Sequence, residues 1–502
     1  MKIYNPILSG FHADPSIVNA DGECIIANST FEWFPGVELH RSKDMKTWNP
    51  APSPLSEKRL LDMAGNKASS GIWAPCLSYS DGIFYLVFTN VRSWNDGPWK
   101  DCPNFLTTAE SIEGPWSDPV FMNASGFDAS LFHDDDGKKW FVNMEWDYRQ
   151  QGPRQFSGIL VQEYDCKAKK LVGKVHKIFL GTDIGLVEGP HLYKRDGWYY
   201  LVCAEGGTSY EHAITCARSK NLFGPYEVHP ANPLITSYGY DCKLKRAGHG
   251  SWCKSPDGKK DYLVYLCGRP LEGTERCVLG RETGIAELEW KEGWPWVKQS
   301  DGTLKNCPPD YIELNGRGVV APGCGVVHVA EKYEFKNKDF LAEFKTLRIP
   351  FDDKRFSISE RPGFLRIHGG QSPSSCFEQS ILARRQTDFD FVAETKMEFS
   401  PENFQHFAGM VYRYDEKSQY LCIVTQDEQK GKVIQVMSIM PEGFSREMEC
   451  QIDEEKPVWI RLEVHQKTGF FYWSQDGKNF RQIRPLIDAS KLSDEYGTQG
   501  FT

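Results

Sequence analysis

The chain is predicted to be all-β, a five-bladed β-propeller followed by a β-sandwich. Three observations predict it. A phrase of similar pattern returns five times, at steps of 60, 54, 60 and 61 residues. Each copy carries an Asp-Gly pair between two apolar runs. Beyond about residue 300 the phrase disappears and apolar residues alternate with polar ones at period two.

The first copy runs from Ala13-Asp14-Pro15-Ser16-Ile17-Val18 to Asp21-Gly22, and the second from Ala74-Pro75-Cys76-Leu77 to Asp81-Gly82. The third runs from Asp128-Ala129-Ser130-Leu131 to Asp136-Gly137, and the fourth from Glu188-Gly189-Pro190-His191 to Asp196-Gly197. His249-Gly250-Ser251-Trp252 leads to Asp257-Gly258 in the fifth. Asp-Gly between apolar runs marks a hairpin, because a type I′ turn needs positive φ at both central residues. The period matches a four-stranded blade with its loops, so the copies read as blades. A second recurring phrase (Ser42 to Trp48, Ser111 to Trp116, Ser219 to Tyr226) reads as an outer turn whose aromatic residue packs between blades.

The propeller is assigned to residues 1–300, which hold 13 of the 15 tryptophans. A Gly- and Pro-rich linker follows at 301–325, and the sandwich occupies 326–502. Alternation in Phe391–Phe399 and Trp459–Val464, with a hairpin at Phe471–Lys478, indicates a half-buried antiparallel sheet. No long amphipathic helix is expected.

With 502 residues the chain is too long for one core. Apolar residues make up 40% and charged residues 25%, and no run approaches the roughly 18 apolar residues of a membrane helix. A net charge of −9 without a long basic block argues against nucleic acid. The short run Lys243-Leu244-Lys245-Arg246 reads as a solvated loop. Fifteen cysteines without a CxxC pair read as reduced thiols. The first residues, Met1 to Asp14, carry no signal-peptide pattern, so a cytoplasmic location is expected.

In a propeller the first strand of each blade lines the central channel, so equivalent positions converge. Those positions hold Asp14, Ala74, Asp128, Glu188 and His249. Three carboxylates crowded in one funnel repel each other and resist desolvation, which a purely structural design would avoid. Glycosidic bond hydrolysis needs such a set: one carboxyl protonated to serve the leaving oxygen, one ionised to activate water. A third acid can raise the pKa of the donor. Taken singly, each acid is also explained as a turn residue.

At these residues the sequence resembles glycoside hydrolase family 43, and within it bacterial β-xylosidases with a C-terminal concanavalin-like sandwich. The matching phrases are Asn5–Ser16, Gly71-Ile72-Trp73-Ala74-Pro75, Asp128–Phe132, Val187–His191, Gly248–Ser251 and Leu279-Gly280-Arg281-Glu282-Thr283, with Gln379–Gln386 farther on. The resemblance implies an inverting, exo-acting enzyme that releases terminal xylose from β-1,4-xylooligosaccharides. Asp14 would be general base, Glu188 general acid, and Asp128 would tune and position that acid. Arg281 would bind the terminal sugar, Phe31 and Trp73 would wall the pocket, and Ala74 and His249 would also face the substrate. Interblade packing remains an alternative for Phe31 and Trp73, and an interblade ion pair for Arg281. No cofactor is required by the resemblance, although in some members the equivalent of His249 helps hold a divalent cation such as Ca2+. His249 is therefore also a metal candidate, with a hydrogen-bonded channel histidine as the alternative.

The same resemblance implies homo-oligomers, dimers or tetramers, and a sandwich that continues past Thr502, so the C-terminal domain is expected to be incomplete. Rival readings are an α-L-arabinofuranosidase, a dual β-xylosidase/α-L-arabinofuranosidase, and a non-catalytic carbohydrate-binding propeller.

Overall fold

The computed structural model describes residues 1–327 and 332–497. These form two compact units. The first comprises Met1–Gly268, Arg281–Gln371 and Ser375–Arg385, and the second Arg269–Gly280, Ser372–Ser374 and the residues from Gln386 onward.

Five antiparallel sheets make up most of the first unit, as the repeat predicts; each is a four-stranded meander, and that of blade 4 carries a fifth short strand, Ile235–Thr236, on Ala213–Ser219. Their innermost strands are Ala13–Ala20, Gly71–Ser80, Ser130–His133, Glu188–Arg195 and Lys245–Lys254. Hairpins close at the Asp-Gly pairs in blades 1, 2 and 4, where Asp21, Asp81, Asp196 and their glycines all have positive φ. Blades 3 and 5 depart from that two-residue turn. There the strands part at His133/Lys139 and Lys254/Asp261, and only Gly137 and Gly258 need positive φ, because the loops are longer.

A serine two places after the axial position locks neighbouring blades. Ser16 Oγ donates to Pro75 O at 2.8 Å and Ser130 Oγ to Pro190 O at 2.6 Å. Ser251 Oγ accepts from Ile17 N at 2.8 Å, which joins blade 5 to blade 1 and closes the ring. These bonds satisfy polar groups that the apolar blade interfaces would otherwise strand. Around them, Ile25, Leu39, Leu77, Leu86 and Trp116 fill the interface of blades 1 and 2, and Trp48, Tyr262 and Val264 that of blades 5 and 1. Trp48 and Trp116 are thus the interblade aromatics that the second phrase predicts.

Tyr311–Glu313 pairs antiparallel, and Val319–Val320 parallel, with Lys2–Tyr4. Phe344–Leu347 lies between Leu382–Arg384 and Trp33–Phe34 of blade 1. This pairing keeps residues 332–371 and 375–385 in the first unit, so the compact division falls at different residues from the expected 325/326 boundary.

Two four-stranded antiparallel sheets form the second unit. One contains Asp390–Met397, Val458–His465, Thr468–Ser474 and Arg481–Asp488, the other Ala408–Asp415, Ser418–Asp427, Gly431–Met440 and Gly443–Gln451. Inward residues of both, including Val424, Ile434, Ile460, Leu462 and Phe471, make one core, as alternation predicts for a sandwich. The only α-helix among the described residues is the single turn Asp494–Gly497, and no helix is long and apolar enough to cross a membrane. The end of the sandwich on which the expected continuation past Thr502 bears, residues 498–502, lies outside the described residues.

Candidate active site

Four of the five axial positions sit at or beside an irregularity in the inner strand's pairing, and Asp128 precedes its strand, Ser130–His133. Register shifts occur at Ala13/Ser16, Trp73/Cys76, Glu188/His191 and Gly248/Gly250. Asp14 (φ 49°), Ala74 (φ 37°), Asp128 (φ 53°) and His249 (φ 30°) all have positive φ. In blade 4 the left-handed residue is Gly189 (φ 56°), so Glu188 keeps ordinary strand geometry. A bulge re-aims a side chain, and strain of this kind persists only where packing holds it. The repeat therefore delivers three acids to one buried place: Asp14, Asp128 and Glu188 are 5, 7 and 8% exposed.

Their environments differ. Asp14 Oδ1 accepts from Arg281 Nη1 at 3.1 Å, and its Oδ2 accepts from Ser29 Oγ at 2.7 Å. Ser29 in turn takes the Ala74 N–H at 2.8 Å, so Ala74 contributes through its backbone. Burial, opposed by Arg281 and Lys100 and reinforced by the charge of Asp14, pushes the Glu188 carboxyl up to about 8. Burial and the neighbouring charges of Glu188 and Asp14 also push Asp128 well above the usual carboxylate range. Asp128 Oδ2 accepts the Gly189 N–H at 3.2 Å, which fixes the backbone beside Glu188. One acid thus has a fixed cationic partner, and two favour their protonated forms, the division of labour that acid–base chemistry requires.

Phe31 and Trp73 form one aromatic wall, 6.1 Å between ring centroids, with the Arg281 guanidinium 5.6 Å over Phe31. Arg281 Nη2 also reaches Thr208 Oγ1 at 3.3 Å. His249 packs its ring on Gly189: a Cβ there would lie 2.9 Å from its Cε1. Burial lowers the His249 pKa, which favours the neutral imidazole. Every residue expected at the site therefore lies in this buried region.

Arg246 is a correction. The basic run is not wholly a solvated loop, because Arg246 is buried and its guanidinium donates twice to Thr208 O, at 2.9 and 2.7 Å. Its left-handed backbone (φ 59°), at the start of the fifth inner strand, turns it inward.

Sequence reading also missed Ser29, Thr208 and Lys100. Ser29 was within reach, since the first hairpin sets it across from Ala13, the neighbour of Asp14. Lys100, whose charge acts on Glu188, sits in a loop with its ammonium 4.2 Å over the Trp146 ring, and no repeat marks it. Arg385, 4.4 Å over Phe11 and 5.3 Å over Trp33, backs the wall from outside the repeat.

Among the described residues, one group of His and Glu donors lies within 4.8 Å of one another: His12, Glu38 and His40. Lys345 Nζ stands 3.9 Å from Glu38 Oε1, so the carboxylate already has a cation beside it. His249 is outside this group, and the charged groups that act on it are Asp14 and Arg281, one of each sign.

The sequence profile of glycosyl hydrolases family 43 matches residues 3–295, and that of the β-xylosidase C-terminal concanavalin A-like domain matches 332–502. The chain is 45% identical to xylosidase/arabinosidase 43B of Humicola insolens, over 99% of its own length and 91% of the relative's. It is 43% identical to a β-xylosidase of Bacillus subtilis, over 99% and 93% respectively. The crystal structure of a xylan β-1,4-xylosidase from Bacillus halodurans superposes with a TM-score of 0.91 at 47% identity, covering 98% of this chain and 93% of that one.

Proposed function

Because this chain belongs to glycosyl hydrolase family 43, we propose that it is an exo-acting β-xylosidase, one that removes terminal xylose from β-1,4-xylooligosaccharides with inversion. The observation that carries the reading is the contrast between Asp14, held by Arg281 and Ser29, and Glu188, pushed up to about 8 by burial. Glu188 gives its proton to the leaving glycosidic oxygen. Asp14 takes a proton from the water that attacks the anomeric carbon from the opposite face. Asp128 positions the acid through the Gly189 N–H, and the charge of Glu188 in turn makes ionisation of Asp128 harder. An inverting pair stands roughly 6.5 to 9.5 Å apart to admit that water.

Arg281, beside both Asp14 and Phe31, binds the terminal sugar while Phe31 and Trp73 pack on its apolar face. His249 acts as a neutral channel histidine in this reading. Retained activity after chelation fits that role, whereas a loss restored by Ca2+ assigns it a cation. The fifteen free cysteines support a reducing, cytoplasmic location.

Proton NMR of the first-formed sugar tests the mechanism. Release of α-xylose from an aryl β-xyloside is expected, and first release of β-xylose overturns inversion. Dual action on terminal α-L-arabinofuranosides is a second reading, favoured by the likeness to a xylosidase/arabinosidase. Rates on aryl β-xyloside and aryl α-L-arabinofuranoside separate the two.

A further inference from the structure

Blade 1 is built from residues 13–51 and blade 5 from residues 245–297, and neither sheet takes a strand from the other. The ring is therefore closed by contacts across one interface, with no shared strand to hold it. Two cysteines face each other there. Cys24 lies on Glu23–Ser29 of blade 1, and Cys253 on Lys245–Lys254, the inner strand of blade 5. Their Sγ atoms are 3.8 Å apart, although the residues are 229 positions apart in the chain. We propose that Cys24 and Cys253 form a modification site, a dithiol that hydrogen peroxide converts to a disulfide, latching the first blade to the last.

The strands that carry the two sulfurs are pinned together. Asn19, the strand partner of Cys24, donates from Nδ2 to Lys254 O at 3.1 Å and to Ser255 O at 2.7 Å. Cys24 Sγ itself stands 3.5 Å from Lys254 O, the carbonyl next to Cys253. Ser251, on the same inner strand, takes the Ile17 N–H. The sulfurs at 3.8 Å have about 1.8 Å to close before the roughly 2.0 Å of a disulfide, a shift within reach of side-chain rotation.

Both thiols are free in the structure. Cys24 is fully buried, whereas Cys253 is partly exposed and is the sulfur an oxidant reaches first. As its thiolate, Cys253 attacks the O–O bond of hydrogen peroxide; that bond breaks, a sulfenic acid forms, and the thiol proton leaves in one water. Cys24 then displaces the sulfenic hydroxyl. The S–S bond forms, the S–O bond breaks, and the Cys24 proton leaves in a second water, so two electrons have passed from the sulfurs to the peroxide. The hydrogen bond with Cys24, and then burial, hold the Cys253 thiol well above its usual pKa, so the dithiol reacts slowly and stays reduced where peroxide is scarce. The bond closes a loop of about 230 residues, and cross-linking a long loop removes the most freedom from the unfolded chain.

The test treats the full chain with hydrogen peroxide at about pH 8.5, near the usual thiol pKa, and maps its tryptic peptides without reduction. A peptide pair joined through Cys24 and Cys253, two hydrogens lighter than its parts, is expected. With it comes a Tm about 5 °C above that of the reduced chain. Dithiothreitol reverses both changes. Cys24→Ser and Cys253→Ser, checked for folding by circular dichroism, show neither the joined pair nor the rise. The wild-type map alone decides whether the bond forms, whether or not the variants fold. A map in which Cys24 and Cys253 stay thiols, or are oxidised singly, overturns the modification site, and a joined pair with an unchanged Tm overturns the latch.

Discussion

Asp14 and Arg281, 267 positions apart, meet at 3.1 Å in a buried pair that sets blade 1's axial acid against the only guanidinium shown to bond it among the described residues. Removing one partner of a buried pair strands the other charge. Arg281→Met is therefore expected to cost about 3 kcal/mol of stability by urea unfolding and to lower kcat/KM about 100-fold or more on an aryl xyloside. Stability within about 0.5 kcal/mol of wild type, the range of a neutral surface change, would contradict the pair.

The alkaline side of the pH–rate profile should belong to Glu188. Its carboxyl must hold a proton to serve the leaving group, and burial raises its pKa to about 8, so kcat/KM is expected to fall above about pH 8. The same shift bears on folding. The native state keeps this proton where the unfolded chain has released it, so the stability it contributes is present below the ordinary value of 4.5 and is lost as pH rises toward about 8. Glu188→Gln removes that loss, and its Tm relative to wild type should rise between pH 5 and pH 8. A constant Tm difference across that range would argue against a raised carboxyl.

Lys100 supplies a sharper check, because its positive charge opposes the rise at Glu188. Lys100→Met should move the alkaline limb to higher pH. Movement to lower pH would mean that the lysine acts on another group.

Ser29 holds Asp14 Oδ2 with its hydroxyl and accepts the Ala74 N–H. Ser29→Ala leaves both without this partner, and kcat should fall about ten-fold, with KM changed far less. Circular dichroism of the variant separates this from misfolding.

Gly189 tests the packing of the fifth blade on the fourth. A Cβ there meets His249 at 2.9 Å, and φ of 56° strains any L side chain. Gly189→Ala should lose about 1 to 2 kcal/mol of stability. Adding His249→Ala should recover the steric share and leave the backbone share.

The blades were legible because Asp-Gly pairs and a period near 60 residues record backbone geometry directly in residue type. The axial trio followed from equivalence among repeats, and Asp14, Asp128 and Glu188 do share one buried region. What stayed hidden lacks a repeat. Arg246 looks like one more residue of a basic run until its left-handed backbone points it at Thr208. Lys100 is placed by an irregular loop, and its effect on Glu188 is a matter of space rather than spacing. The segment that pairs Phe344–Leu347 with Trp33–Phe34 shows no blade phrase, so its membership of the first unit depends on long-range pairing that local pattern does not encode.

The left-handed residue at or next to each axial position also limits which amino acids the ring can adopt. Asp, Ala and His occupy that conformation at positions 14, 74, 128 and 249, while a β-branched side chain would clash with its own backbone there. Blade 4 obtains a longer acid by passing the strained conformation on to Gly189. The ring thus works as a socket with a restricted alphabet, one that admits short polar or small residues and shuts out β-branched ones.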